Sequence, residues 1–268
     1  MSDPITSRGA KWLAALTHDA ALVAGYPASM RVVDALLTGQ PARYIAVVPD
    51  AQSRFPRART GEVGLVEGWA LAQAVHEVIA ADRDGRKRAI VAVIDVSSQA
   101  YGRREEAFGI HAALAGAAGA YAQARLAGHP VIGLIVGKAM SGAFLAHGYQ
   151  ANRLIALNDA GVMVHAMGKA AAARVTLRSV EDLERLAADV PPMAYDIESF
   201  ATLGLLWKLL AVKSADAPHE DDLAVVRKTL DAALRDIVDD PDRDLRSRLG
   251  GANRKASSRV REKLAAQW

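Results

Sequence analysis

Two uninterrupted apolar runs constrain this chain most. Arg88-Ala-Ile-Val-Ala-Val-Ile-Asp95 and Val131-Ile-Gly-Leu-Ile-Val136 leave no polar position on either face of a strand. Such a strand has to be covered on both sides, the condition of a parallel sheet layered with helices. Between the runs, Ala107, Ile110, Leu114, Ala117, Tyr121 and Ala124 fall on one stripe of a helix predicted over Arg103 to Leu126. Gly128 is placed to cap that helix, and His129-Pro130 prevents its continuation. Strand, helix and strand form a βαβ unit, for which a right-handed crossover is expected.

The same alternation extends on both sides. Tyr44-Ile-Ala-Val-Val48 reads as the first clear strand, ended by Pro49-Asp50, and Val63 to Ala81 carries Val66, Leu71, Val75 and Val78 at helical spacing. Downstream the pattern predicts helix 141–149, strands Arg153 to Leu157 and Val162 to His165, and helices 168–174, 179–188 and 219–237. The fold class is α/β. No Pro/Gly/Ser-rich linker divides the chain, so residues 1–268 read as one domain. Its N-terminal segment, about 1–25, is poorly defined, and its tail, about 241–268, is charged and helical near the end.

Composition removes several classes of function. A net charge of +3 with no basic stripe bearing interleaved aromatics argues against nucleic acid. The short cluster Arg54-Phe-Pro-Arg-Ala-Arg59 reads either as a solvated loop or as an anion site. The absence of cysteine excludes disulfides, thiolate metal sites and a cysteine nucleophile, and fits a reducing compartment. The stretch Met1 to Arg8 has no apolar h-region, so no signal peptide is expected. No run of roughly 18 strongly apolar residues suggests a membrane span. A cytoplasmic location is the expectation.

Three constellations carry chemistry. At the end of the first apolar run lies Asp95-Val-Ser-Ser-Gln-Ala-Tyr-Gly-Arg-Arg-Glu-Glu106. Ligands of parallel sheets bind at such strand ends. Ser97, Ser98, Gln99 and Tyr101 are therefore candidate substrate contacts, whereas Glu105 and Glu106 suit the first turn of a helix. The second constellation is Gly137-Lys-Ala-Met-Ser-Gly-Ala-Phe-Leu-Ala-His147. The strand is expected to break at Gly137 and pass through small residues into a helix, leaving backbone N–H groups free at its start. Gly142, Ala143 and Ser141 are candidate oxyanion donors. Lys138 and Met140 are candidate substrate contacts, Lys138 facing either an anion or solvent. The alternative is a tight strand–helix contact that simply needs small residues. A serine hydrolase is disfavoured, because the Gly-x-Ser-x-Gly elbow is not formed around Ser141. The third constellation, Val162-Met-Val-His165, ends a strand with a histidine that reads either as structural or as a proton donor. His147, inside an apolar helix, reads as structural. The remaining histidines show no metal-ligand spacing, and no metal site is expected.

In order and spacing these runs resemble the carboxyltransferase branch of the ClpP/crotonase superfamily. Asp95…Gly102…Glu106…Gly128-His-Pro130-Val…Gly137-Lys-Ala-Met-Ser-Gly-Ala143 is similar to Asp-Thr-Pro-Gly…Gly…Glu…Gly-x-Pro-Val…Gly-x-Gly-Gly-Ser-Gly-Gly-Ala of bacterial acetyl-CoA carboxylase carboxyltransferase alpha subunits. Three longer runs, Asp95 to Glu106, Val136 to Arg153 and Met163 to Arg174, resemble the gamma subunits of biotin-independent malonate decarboxylases. The resemblance spans roughly residues 40–235. This chain departs from the carboxyltransferase pattern with Val96-Ser97-Ser98 in place of Thr-Pro-Gly, and with Ala139-Met140 in place of Gly-Gly.

The resemblance implies a crotonase-like fold of stacked ββα units, of the type of the carboxyltransferase C-half. It implies a homologous beta subunit with the active site between the two chains. An alpha subunit would exchange malonate for acetate on a phosphoribosyl-dephospho-CoA arm, carried by a small delta acyl-carrier subunit. The beta–gamma pair would release CO2 from the malonyl thioester and leave an acetyl thioester. No cofactor would be bound directly, and no biotin used. The backbone oxyanion hole of the family falls on Gly142 and Ala143, and Ser141 and His165 (or Tyr101, for the proton) would assist. Three other readings stand beside this one: a non-catalytic scaffold that closes the beta subunit's pocket, a carboxyltransferase alpha-type subunit of an acyl-CoA carboxylase, and an enoyl-CoA hydratase-like enzyme acting alone.

Overall fold

The computed structural model describes residues 7–268. The expectation of no leader therefore falls mostly on residues 1–6, outside the described residues. From the N-terminus the elements are α1 (Arg8–Leu16), β1 (Met30–Leu37), β2 (Gln40–Val47), α2 (Leu65–Ala81), β3 (Ala89–Val96), α3 (Arg103–Ala107), α4 (Ile110–Leu126), β4 (Val131–Met140) and α5 (Ser141–Ala146). They continue with β5 (Arg153–Asn158), β6 (Met163–His165), α6 (Lys169–Thr176), α7 (Val180–Asp189), α8 (Ile197–Ala201), β7 (Lys208–Ala211), α9 (Glu220–Asp239) and α10 (Lys255–Ala265).

Among the described residues the strands form one sheet in the order β1-β2-β3-β4-β5-β7, with β6 attached to β4. The apolar runs β3 and β4 lie at its centre, because only there are both faces covered. Every pairing is parallel except β1 with β2, an antiparallel hairpin closed at Leu37 and Gln40. The sequence reading missed β1, where Asp34 interrupts the apolar pattern, and the short edge strand β7.

Three further corrections concern elements around the site. The N-terminal segment is well packed where it is described. Ser7 caps α1 by accepting from the Ala10 N–H, and Trp12 is fully buried with its indole N–H donating to the Ala215 carbonyl at 2.8 Å. The predicted helix 103–126 is split in two, because Gly109 adopts φ +82°, a left-handed conformation that ends α3 and starts α4. Most consequential, the strand does not break at Gly137.

β4 runs on to Met140 and changes partner on the way. Ile132 to Ile135 pair with β5, then Lys138 to Met140 pair with β6. The β3–β4 register shifts between Ile94 and Val96, which turns Asp95 toward β4. The Asp95 carboxylate fills the place of a side chain at Gly137, where a Cβ would stand 2.1 Å from Oδ1. It accepts from the Lys138 N–H at 3.1 Å and from the Gly9 N–H at 3.1 Å, and so ties β3, β4 and the start of α1 together.

α5 is held from beneath by His147, which is fully buried. Its Nε2 lies 3.1 Å from the Val93 carbonyl, which only accepts, so Nε2 carries the proton and Nδ1 accepts from the Tyr121 hydroxyl at 3.1 Å. Burial pushes the imidazole pKa down to about 4, against the raising effect of the Val93 bond.

Two outcomes follow from this packing. Gly137→Ala should destabilise the protein by about 1–3 kcal/mol through overpacking against Asp95. In a double-mutant cycle of thermal melts, Asp95→Ala should recover part of that loss, whereas strict additivity would exclude the contact. The second outcome concerns pH. A histidine whose pKa is lower folded than unfolded contributes stability that is complete above about 6.5. That stability is lost as pH falls through the folded value. Between pH 6.5 and 4, unfolding free energy should therefore drop by about 3 kcal/mol on account of His147. In His147→Gln the slope of stability against pH in that window should flatten, as read by denaturant titrations at each pH.

Candidate functional site

The partner change of β4 opens a crevice at the C-terminal ends of the central strands. Where β4 and β6 finish together, Met140 lies opposite His165, and Ser141 turns the chain directly into α5. Ser141 has φ +57°, sparsely populated for a residue with a Cβ. Its hydroxyl stabilises the turn by donating to the Ala166 carbonyl at 2.6 Å, and so is committed to a backbone acceptor rather than to an imidazole.

A cavity of about 340 Å3 lies against this turn, lined by Ser141, Gly142, Phe144, His165, Phe200 and Leu205 among others. Its lining is mostly apolar, the kind of wall that strengthens a hydrogen bond to a developing charge. Sequence positions far apart thus converge here: Ser141 and Gly142 from the strand–helix turn, and His165 from the end of β6.

The two proposed backbone donors differ in their surroundings. Gly142 lines the cavity, and its N–H donates to the side-chain Oε1 of Gln99 at 2.9 Å. Ala143 is fully buried and does not line it. The expectation of two free N–H groups facing the substrate is corrected accordingly. Of the two residues only Gly142 borders the cavity, and a side-chain amide oxygen already occupies its N–H.

His165 is half-buried, and its Nδ1 is held by the Met167 backbone, 2.9 Å from the carbonyl and 3.2 Å from the N–H. Burial lowers its pKa below the ordinary imidazole value, with the Met167 bond acting in the opposite direction. Nε2 is thus the nitrogen that the protein does not engage among the described residues.

The remaining candidates are scattered. Gln99 alone of its segment touches the turn. Its neighbours are fixed by backbone pairing with Val63, which donates to the Ser98 carbonyl at 3.0 Å and accepts from the Ala100 N–H at 2.8 Å. Ser97 is half-buried, with its hydroxyl oxygen buried and unpartnered. Tyr101 is 58% exposed, away from the cavity lining. Lys138 is exposed, and Met140 is buried between β6 and the core. None of Ser97, Ser98, Tyr101, Lys138 or Met140 lines the cavity. A larger cavity of about 430 Å3, lined by Met163, Lys169, Leu183, Glu184 and Tyr195, shares only Ala194 with the first. The smaller one sits on the strand ends and the helix start.

The sequence reading missed Tyr195, whose ring stacks on His165 with centroids 3.8 Å apart and planes 13° from parallel. It lies in an irregular stretch with no periodicity to flag it. Among the described residues no cluster of His, Asp and Glu comes together to hold a metal ion, and no helix is long and apolar enough to cross a membrane.

Comparison with known proteins places this geometry. The family model for the malonate decarboxylase gamma subunit matches residues 58–268. A curated relative, the Malonyl-S-ACP:biotin-protein carboxyltransferase MADD of Malonomonas rubra, is 37% identical over 155 residues, covering 56% of this chain and 53% of its own length. The chain therefore spans about half the length of that relative. Among solved structures, a chain of a Pseudomonas malonate decarboxylase hetero-tetramer in complex with coenzyme A is 66% identical with a TM-score of 0.94, over 98% of this chain and 100% of that one. A chain of the Pseudomonas MdcD–MdcE hetero-dimer is 63% identical with a TM-score of 0.91, over the same shares of 98% and 100%. Transcarboxylase 12S, at 20% identity and a TM-score of 0.64 over 85% of this chain and 40% of its own, shares the α/β fold alone. The family model, matching most of the chain, assigns it: this protein belongs to the malonate decarboxylase gamma-subunit family.

Proposed function

We propose that this chain is the gamma half of a malonyl-thioester decarboxylase, working with a homologous beta subunit in the cytoplasm. The substrate is a malonyl group in thioester linkage to a delta acyl-carrier subunit, through a phosphoribosyl-dephospho-CoA arm that an alpha subunit reloads. Breaking the bond between the carboxylate and the methylene carbon releases CO2 and sends the electron pair into the thioester, as an enolate. One proton on that carbon completes the acetyl thioester. The chain's own groups meet both demands. The backbone N–H of Gly142, at the start of α5, stabilises the enolate oxygen, with Ser141 shaping the turn. His165 passes a proton from Nε2 to the methylene carbon, directly or through water, and regains one from solvent.

The observation that carries this reading is Gly142, which lines an apolar cavity and whose N–H is met by a side-chain amide oxygen, that of Gln99, rather than by a backbone carbonyl. In the reaction a substrate oxygen takes the place of that amide oxygen. Ser97, Ser98, Tyr101, Lys138 and Met140 are then residues of the outer wall. The name of the Malonomonas relative supports a carrier-bound malonyl thioester. High identity to chains of Pseudomonas malonate decarboxylase supports decarboxylation as the outcome. Trp69 at 55% exposure, Phe108 at 63% and Leu177 at 93% are apolar surface that suits a partner chain. A second reading, a scaffold that only closes the beta subunit's pocket, draws on the same hydrogen bonds. Both the Gly142 N–H and the Ser141 hydroxyl are engaged within the chain.

Decarboxylation of a malonyl thioester, assayed with the purified chain, with the beta subunit and with the co-expressed pair, separates these readings. The pair should be active and the lone gamma chain inactive. Full activity of the gamma chain alone would remove the requirement for a partner. Within the pair, Gln99→Glu places a charged acceptor on the Gly142 N–H and should cost on the order of 10²–10³ in turnover, the usual loss when one oxyanion donor is withdrawn. Gln99→Ala leaves the donor open and should be far milder. Equal turnover in the two variants would favour the scaffold. His165→Ala should lower turnover per folded molecule more than it lowers the melting temperature.

A further inference from the structure

We infer that Tyr195 is a positioning residue, whose ring face fixes the His165 imidazole so that Nε2 alone remains for the bound thioester; this rests on the proposed role of His165. The two rings are nearly parallel, 13° apart at a centroid separation of 3.8 Å. The backbone sets them face to face. The Val164 N–H donates to the Tyr195 carbonyl at 3.0 Å, and Met163 bridges to Asp196 in an antiparallel sense. The stretch around Tyr195 thus adds a short length of strand beside β6, in a register that brings ring 195 over ring 165. On the other side, the Met167 backbone holds Nδ1. One ring face and one nitrogen are taken, and that combination leaves the imidazole no freedom to flip or tilt.

The tyrosine's oxygen plays no part in holding it. Its hydroxyl is buried without a hydrogen-bond partner. What the residue supplies is its flat face, a contact that a phenyl ring reproduces and an aliphatic side chain does not. Charged groups on the neighbouring elements are Lys138 on β4, Asp196 beside Tyr195, and Lys169 on α6. Lys169 pairs with Glu184 of α7 at 2.6 Å and lies 5.5 Å from the Tyr195 ring. Burial, to which the stacked ring contributes, is the leading cause of the lowered pKa of His165, and none of these charges figures among the causes. Removing the ring therefore hydrates the imidazole and lets its pKa rise toward the ordinary value.

The test uses the beta–gamma pair with Tyr195→Leu and Tyr195→Phe, with melting curves to confirm folding. Turnover and its pH profile are measured beside the titration of His165, followed by NMR on histidine-labelled protein and assigned by its loss in His165→Ala. The expected result for Tyr195→Leu is a higher His165 pKa, an acid limb of the rate profile moved to higher pH, and a fall in turnover of about tenfold or more at neutral pH. Tyr195→Phe should restore all three. An unchanged titration and unchanged turnover in Tyr195→Leu would overturn the proposal and leave Tyr195 as cavity wall. A shifted titration with normal turnover would uphold the stack, and would place the failure in the role given to His165.

Discussion

A carboxylate occupying the space that a side chain would need is the contact on which the rest of the structure depends. Asp95 leans across from β3 onto Gly137 and accepts from Lys138 and Gly9. It satisfies two backbone donors, one in β4 beside the register shift and one at the start of α1. Because the junction is satisfied, β4 continues three residues beyond Gly137 and exchanges β5 for β6. Had β4 stopped at Gly137, Ser141 would not stand beside His165, and α5 would start elsewhere.

The site follows from that extension. β4 and β6 end level, so the turn at Ser141 and the imidazole of His165 border the same cavity. The strained Ser141 conformation is held by its hydroxyl on Ala166 and by the burial of the next residues of α5 against the sheet. His147 pins the far end of α5 to the Val93 carbonyl of β3. A six-residue helix has little intrinsic stability, and these fixed ends hold its first N–H groups in place. Polar groups in the pocket are few, and most are engaged: Gly142 by Gln99, Ser141 by Ala166, and Nδ1 of His165 by Met167, with Nε2 of His165 left open.

Much of the fold was legible because it is written in period and punctuation. The unbroken apolar runs of β3 and β4 required cover on both faces, and the stripe from Ile110 to Ala124 required a helix between them. The family resemblance was legible for a similar reason, since long local runs such as Val136 to Arg153 survive as contiguous text. Local reading failed where long-range pairing set the outcome. Gly137 read as a strand end, since glycine commonly punctuates. Its true reason is Asp95, more than forty residues earlier in the chain. β1 was missed because its burial alternates irregularly against the hairpin partner, and the tight packing of α1 was not legible because its fully buried Trp12 finds its acceptor in Ala215, near the other end of the chain.

The sequence by itself determined the α/β class, the succession of most elements, the family, and the segments that would supply the site, because hydrophobic period, capping residues and contiguous motifs are local properties. Only the tertiary structure decided which side chains of those segments meet. It brought Gln99 onto the Gly142 N–H, buried Ala143 behind it, left Tyr101 and Lys138 facing outward, and laid Tyr195 over His165. Those outcomes depend on sheet register and on the direction in which each loop returns. Both are fixed by contacts between residues distant in sequence, which no local pattern encodes.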